Sequence, residues 1–379
     1  MSAKKIVSDL ISETGINVII NDDTCYDDVF RNGSLGLGES FIEGKWDAKE
    51  DLDKIFSKVG KAHLGKSLSD KSWYVKGTLL LQWLYSYITW GLNSFGLLSH
   101  GQSVSASKVV ADQHYNLHPQ LYQNMLSADM MYSCAYFSND NMTLYDAQLA
   151  KLDLIARKLR FKPGMKVLDI GCGWGFACSY FNEKYGVKCT GVTISEEQFK
   201  FAMNKYQRTG VNYILDDYRN INDIVGYDRI YSIGMFEHVT SKHYREFMEI
   251  CDKLLHPGGL FLLHTIGGNT TKIVNDRFLD KYIFPNSMLP SLAQIAQSSE
   301  GLFLIEDVHN FGCHYDKTLM CWYRNFMQNQ NNLTFLSDRF KRMWIYYLLS
   351  CAGTFRSKGC QLYQVVFSKQ RYEHYERDC

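Results

Sequence analysis

Residues 167–175 read VLDIGCGWG. A strand-forming run carries Asp169 near its end and gives way to glycines at 171, 173 and 175. Three glycines so close together let the backbone turn tightly and approach a ligand with no β-carbon in between. The residues around this turn limit the fold. MKVLDIG (165–171), VKCTGVTIS (187–195), VNYILDD (211–217), YDRIYSIG (227–234) and GLFLLHTIG (259–267) read as short apolar strands. Helical patterns lie between most of them, including EEQFKFAMNKYQ (196–207) and SKHYREFMEICDKLL (241–255), and QLAKLDLIARKL (148–159) precedes them as an amphipathic helix. This alternation predicts an α/β fold: a Rossmann-like, doubly wound parallel sheet with its ligand crevice at the carboxyl ends of the strands. FLIEDVHNF (303–311) and YQVVFSK (363–369) are candidates for added antiparallel edge strands.

The glycine spacing narrows the ligand. A dinucleotide fold wants GxGxxG and an acid closing the second strand, to hold the ribose. Here the spacing is GxGxG, and the second strand closes on Thr193, Ile194 and Ser195. A nicotinamide dehydrogenase is therefore disfavoured. A formal net charge of +1 over 379 residues argues against nucleic acid as partner. The GMFEHV stretch (234–239) sets Glu237 beside His238 with no ligand at helical i, i+4 spacing, and the chain has no paired cysteines, so no metal is expected. The aromatic content of 14% suits a greasy or cationic ligand, although large cores reach the same value.

Residues 1–95 read as a smaller, mostly helical domain with a glycine-rich kink at GSLGLGESFIEGKW (33–46). Residues 96–108 are small and polar, a linker, and 109–379 form the catalytic domain. MSAKKIVSDLI has basic residues but no sustained apolar run, and the eleven cysteines include no CxxC. Together these predict no leader and reduced thiols in the cytosol. Thr78–Ser99 holds nothing charged at neutral pH, but Gln82, Ser86, Thr89 and Asn93 fall on one helical face. A core helix, or one laid along a membrane surface, fits that better than a membrane span.

The sequence DIGCGWG resembles the first motif of class I S-adenosylmethionine-dependent methyltransferases. SLGLGES (34–40), MYSCAYF (131–137), VLDIGCGWG (167–175), GVTISEEQ (191–198), GMFEHV (234–239), LLHTIG (262–267) and KYIFPN (281–286), in that order, resemble cyclopropane-fatty-acyl-phospholipid synthase over nearly the whole chain. The N-terminal part resembles the bacterial enzymes and is absent from the shorter mycolic-acid cyclopropane synthases. The resemblance implies methylene transfer from S-adenosyl-L-methionine to the cis double bond of an unsaturated acyl chain in a membrane phospholipid. A carbocation forms, and a bound bicarbonate removes the proton that closes the ring. It further implies a cytoplasmic homodimer making peripheral contact with the inner face of the membrane.

Carried over residue by residue, the bicarbonate site takes Cys134, Glu237, His264, the backbone of Ile266, and Tyr315. Each has a plainer explanation when taken alone. Cys134 is then a small buried hydrophobe with nothing in sequence to make it a nucleophile. His264 is a satisfied core histidine, and Tyr315 is packing. Cofactor binding falls to Tyr132, Ser133, Asp169, Gly171, Gly173, Thr193 and Gln198, with Asp217 and Tyr218 placed to meet adenine. Class I enzymes usually end strand two with an acid, so Thr193 and Gln198 depart from the pattern and offer hydroxyl and amide instead. Tyr136, Phe137, Tyr282, Phe284 and Tyr315 are candidates to line the path of a cationic intermediate. HYNLHPQLYQNML (114–126) resembles the family's entry helix, with Tyr115 reaching inward, though a capping helix is as good a reading. Glu237 and His264 are expected to end adjacent strands at the crevice, with His238 structural and pointing away. The alternatives are a superfamily methyltransferase for a small amine or phenol, and a binding protein that kept the fold.

Overall fold

The computed structural model describes residues 2–65, 119–223, 225–271, 275–369 and 375–376. Seven strands make one sheet: β3 (Lys166–Ile170), β4 (Lys188–Thr193), β5 (Val211–Leu215), β6 (Tyr227–Ile233), β7 (Leu255–Gly268), β8 (Leu304–Asn310) and β9 (Cys360–Ser368). Their order is β5-β4-β3-β6-β7-β9-β8. The first five run parallel, while β9 pairs antiparallel with β7, and β8 antiparallel with β9. The chain runs outward from β3 to β5 and returns to β6 on the other side of β3. The ends of β3 and its neighbours are thus the switch point where such sheets bind ligands. The expected doubly wound class I architecture is present. Of the two expected antiparallel edge strands, however, only β8 lies at an edge. β7 has 14 residues and gives β9 a partner from Leu260↔Ser368 to Gly268↔Cys360, which places β9 inside the sheet.

Both faces of the inner strands are covered, so these strands are mostly apolar, while the edge strand β8 stays largely exposed. Along β7, Phe261 and Leu263 enter the cluster under helix Tyr244–Leu254, and Leu260 and Leu262 enter the one under helices Leu144–Lys158 and Phe176–Tyr185. Each such side chain contributes about 2 kcal/mol by leaving water. Short polar signals start the helices. Ser195 Oγ accepts from Gln198 N at the head of helix Glu196–Tyr206, and Thr143 Oγ1 does the same for Asp146 N. Such caps are worth about 1 kcal/mol each.

The third cluster joins the ends of the chain. Tyr26, Phe41 and Trp46 share it with Trp322, Trp344 and Tyr346 from helices Cys313–Asn329 and Asp338–Arg356. Arg356 bridges Asp53 of helix Leu52–Gly65 and Asp316, and Arg342 Nη2 lies 2.8 Å from Asp47. A two-stranded sheet of β1 (Val18–Ile20) and β2 (Trp46–Ala48) completes the N-terminal region. The glycine-rich 33–46 stretch is not a kink. Ser34–Ile42 is a helix, and its glycines make room: a β-carbon on Gly36 would lie 2.0 Å from Asp28 O, and one on Gly38 2.2 Å from the Phe278 ring. The proposed linker at 96–108, the 78–99 stretch and Tyr115 lie outside the described residues. Among those described, no helix is long and apolar enough to cross a membrane, and ten cysteines are free thiols.

Candidate active site

After β3 the chain turns through Gly171, Gly173 and Gly175, all with positive φ, into helix Phe176–Tyr185. Their reasons differ. A β-carbon on Gly171 would meet Met235 Cβ at 2.7 Å, whereas one on Gly173 would meet nothing within 4 Å. Gly173 therefore leaves backbone open to a cavity of about 190 Å³ lying over the ends of β3, β4 and β6. Tyr132, Ser133, Asp169, Gly171, Gly173, Thr193, Gln198, Asp217 and Tyr218, every expected cofactor residue, line it. Thr193 Oγ1 donates to Gln198 Oε1 at 2.9 Å, so the Gln198 amide keeps its N–H groups to offer a ligand. Asp217 is gripped by Arg219, with Nε to Oδ1 at 2.8 Å and Nη2 to Oδ2 at 2.6 Å, and its pKa is lowered despite burial. Asp169 is buried with Oδ1 unpartnered, and burial pushes its pKa up to about 7. A cavity with exposed backbone at a glycine turn, fixed hydroxyl and amide groups, and a buried acid fits a cofactor that carries a ribose and a cation.

A second group of side chains lies beyond the 131–134 segment. β6 stops at Ile233, beside His264 of β7. Gly234, with φ +71°, then turns the chain into a single 3₁₀ turn, Phe236–His238. Glu237 thus sits on that turn, not at a strand end, because Gly234 breaks the extended run. Its Oε1 accepts from Ile266 N at 2.7 Å, and Oε2 is buried without a partner. Burial pushes its pKa up to about 7. His264 faces Gln364 across the β7–β9 ladder, and Gln364 Nε2 lies 3.2 Å from its Nδ1. Its Nε2 is buried without a partner. Burial, helped by the charges of Lys151 and Lys158, holds its pKa well below the usual value, so the ring is neutral.

Cys134 and Tyr315 complete this group, in one apolar cluster with Ile266, Phe311 and Leu362. Burial raises the Cys134 thiol pKa strongly, which leaves it protonated and no nucleophile. The Tyr315 ring stacks on Phe355 at 4.6 Å, and the nearby Cys134 and Glu237 add to burial in raising its phenol pKa. The Ile266 amide is taken by Glu237, and its carbonyl accepts from Thr265 Oγ1 at 3.1 Å. Between cavity and pocket stands Tyr132, whose hydroxyl pairs with that of Tyr347 at 2.7 Å. Its ring lies 5.0 Å from Trp322, 5.4 Å from Tyr122 and 6.4 Å from Phe284. An array of aromatic faces favours a passing cation.

Some expected aromatics lie elsewhere. Tyr282 donates to Glu39 Oε1 at 2.7 Å and packs on Phe278, tying it to the N-terminal region. Phe137 packs on His314, whereas Tyr136, which also meets His314, stays in the cluster with Cys134, Phe311 and Tyr315. His238 does not point away: a 3₁₀ turn lacks the alternation of a strand, and His238 lines the cofactor cavity 6.0 Å from the Phe284 ring. Asp129, Trp174, Asp216 and Arg219 also line that cavity and were not anticipated. Asp216 and Arg219 had a signal, since they flank the expected Asp217–Tyr218 pair. Gln148 and Lys151, fully buried beneath the 131–134 segment, were missed too. Their signal was two polar residues on the apolar stripe of the 148–159 helix. Among the described residues, no group of three His, Cys, Asp or Glu side chains can hold a metal ion.

The model of the mycolic acid cyclopropane synthetase family matches residues 102–365. The cyclopropane-fatty-acyl-phospholipid synthase of Escherichia coli strain K12 is 44% identical over 374 residues, covering 96% of this chain and 93% of that protein. Among solved structures, the mycolic acid cyclopropane synthase CmaA1 complexed with SAH and CTAB superposes with a TM-score of 0.64 at 32% identity, over 69% of this chain and 98% of that one. Coclaurine N-methyltransferase, bound to N-methylheliamine and SAH, covers 88% of this chain and 99% of its own with a TM-score of 0.68. At 20% identity it shares the fold alone.

Proposed function

The chain belongs to the cyclopropane synthetase family, enzymes of S-adenosylmethionine-dependent methylene transfer to unsaturated lipid, and from that premise we propose that it cyclopropanates the cis double bonds of membrane phospholipid acyl chains. The observation that carries the finer reading is the pair of buried, unpartnered atoms Glu237 Oε2 and His264 Nε2, beside the neutral phenol of Tyr315. With Gln364 Nε2 donating to Nδ1, the ring proton of His264 sits on Nε2. Glu237 near its pKa, neutral His264 and Tyr315 then offer three donors to one small oxyanion without placing a fixed negative charge against it. Bicarbonate is an oxyanion of suitable charge, and bound there it would serve as the base for the last proton.

S-adenosylmethionine supplies the one-carbon unit. The chain's own residues do the rest. Gly173 exposes backbone, and Thr193 and Gln198 present hydroxyl and amide groups to the ribose. Tyr132, with Trp322 and Phe284 around it, excludes water and turns ring faces to the electron-poor acyl carbons. An alkene is a weak nucleophile, so alignment and charge stabilisation must lower the barrier. The choice of phospholipid is supported by the match to the Escherichia coli enzyme, which extends over the N-terminal region that lies before residues 102–365. On the same reading the enzyme works as a homodimer at the inner face of the membrane, in peripheral contact with it.

Incubation with S-adenosylmethionine and vesicles of monounsaturated phospholipid, followed by mass spectrometry of the acyl chains, tests this. The expected result is saturable conversion to chains one methylene heavier. Methylated small amines or phenols with untouched lipid would replace the proposal by the methyltransferase alternative.

A further inference from the structure

Helix Leu144–Lys158 turns two polar side chains toward the 131–134 segment. Gln148 Nε2 donates to Ser133 O at 2.9 Å. One turn further on, Lys151 Nζ donates to Ser133 Oγ at 2.7 Å. Both side chains are at 0% exposure. A lysine ammonium with no water around it is expensive unless its charge is used. Its electrostatic neighbours are Asp129, Cys134 and Asp169, and it acts in turn on His264. Asp129 and Asp169 each keep one buried carboxylate oxygen without a hydrogen-bond partner. Ser133 lines the cofactor cavity, while Cys134, the next residue, belongs to the pocket with Ile266 and Tyr315. The ammonium therefore stands in the wall between the two.

We propose that Lys151 is a positioning residue of the transfer reaction: through Ser133 it fixes the 131–134 wall, and its charge gives the Cys134–Glu237–His264 pocket the positive potential that a small oxyanion needs. The second half rests on the oxyanion reading of that pocket. Asp129, Asp169, Cys134 and His264 are the titratable groups that face the amine. Against them, burial brings its pKa down to about 8. The charge is thus present at neutral pH and is lost as the pH rises past that value.

The test uses the full chain with Lys151→Met, S-adenosylmethionine, monounsaturated phospholipid vesicles and sodium bicarbonate titrated into depleted buffer. The bicarbonate concentration for half-maximal turnover is expected to rise by about 10-fold or more. The alkaline fall in wild-type activity near pH 8 should vanish, while S-adenosylhomocysteine still binds. A variant that melts like wild type, with unchanged bicarbonate dependence and the same alkaline limb, overturns the proposal. If wild type shows no bicarbonate dependence, the oxyanion reading fails and the alkaline limb alone decides the role of Lys151. If Lys151→Met does not fold, Ser133→Ala takes its place. Loss of the acceptor lowers the amine pKa, so the limb must move to lower pH, and a limb that stays put refutes the role.

Discussion

The cofactor cavity and the pocket beyond Tyr132 differ in how their polar groups are held. Around the cavity Thr193 is paired with Gln198, Asp217 with Arg219 and Ser133 with Lys151, and the buried exceptions are Asp129 Oδ2 and Asp169 Oδ1. In the pocket, Glu237 Oε2 and His264 Nε2 are buried and unpartnered. Pairing fixes geometry at little cost and suits recognition. Buried atoms without partners cost stability and are kept where they do chemistry. On the proposed function the 131–134 segment separates recognition from reaction, and each half should then be open to perturbation alone.

The sharpest break is expected from Glu237→Ala. Turnover should fall by about 10³-fold, while S-adenosylhomocysteine affinity, measured by calorimetry, stays near the wild-type value. A parallel loss of affinity would merge the two regions into one. Next comes the effect of pH on stability. Glu237 and Asp169 titrate at about 7 when folded, well above their ordinary 4.5 and 3.8. Between those values the folded chain holds protons at these two carboxyls that the unfolded chain has released, so their contribution to stability falls as pH rises from about 4 to about 7, against the opposite trend of the buried neutral His264, His309 and His314. Each carboxyl contributes on the order of 3 kcal/mol to that fall. In urea melts of the cofactor-free protein across this range, the stability of Glu237→Gln should fall less, or rise more, with pH than that of wild type, and equal slopes would contradict the burial argument. The smallest effect belongs to the paired region. Thr193→Val removes the hydrogen bonds of its hydroxyl to Gln198 Oε1 and from Ser195 N, each worth about 1 kcal/mol, and should weaken cofactor binding roughly 5-fold with kcat nearly unchanged.

The parts of this architecture written as periodic patterns were legible in the sequence. Apolar strands alternating with helices led to the sheet, and the spacing of Gly171, Gly173 and Gly175 led to the cavity. Less visible was whatever depends on a residue far away in the chain. Gly36 and Gly38 look like turn-makers, yet they are small because Asp28 and Phe278 press against their helix. Glu237 reads as the end of a strand, but the strand stops where its ladder with β7 stops, at Ile233 opposite His264. Gln148 and Lys151 stand on the apolar stripe of their helix, but what they bind is not written there, because their acceptors come from the 131–134 segment. Tyr282 was grouped with the substrate path and belongs to Glu39, 243 residues earlier.

Phe41, Phe56 and Phe278 all crowd Tyr346 of the long C-terminal helix, and Arg356 on the same helix bridges Asp53 and Asp316. This interlock has a consequence for anyone who treats the front of the chain as an exchangeable cassette. A chimera that takes residues 2–65 from a relative must bring its own version of helix 338–356 as well, or it will set foreign side chains against a surface shaped for these. Inheritance should follow the same rule, with substitutions at Phe41, Phe56, Phe278 and Tyr346 arising together.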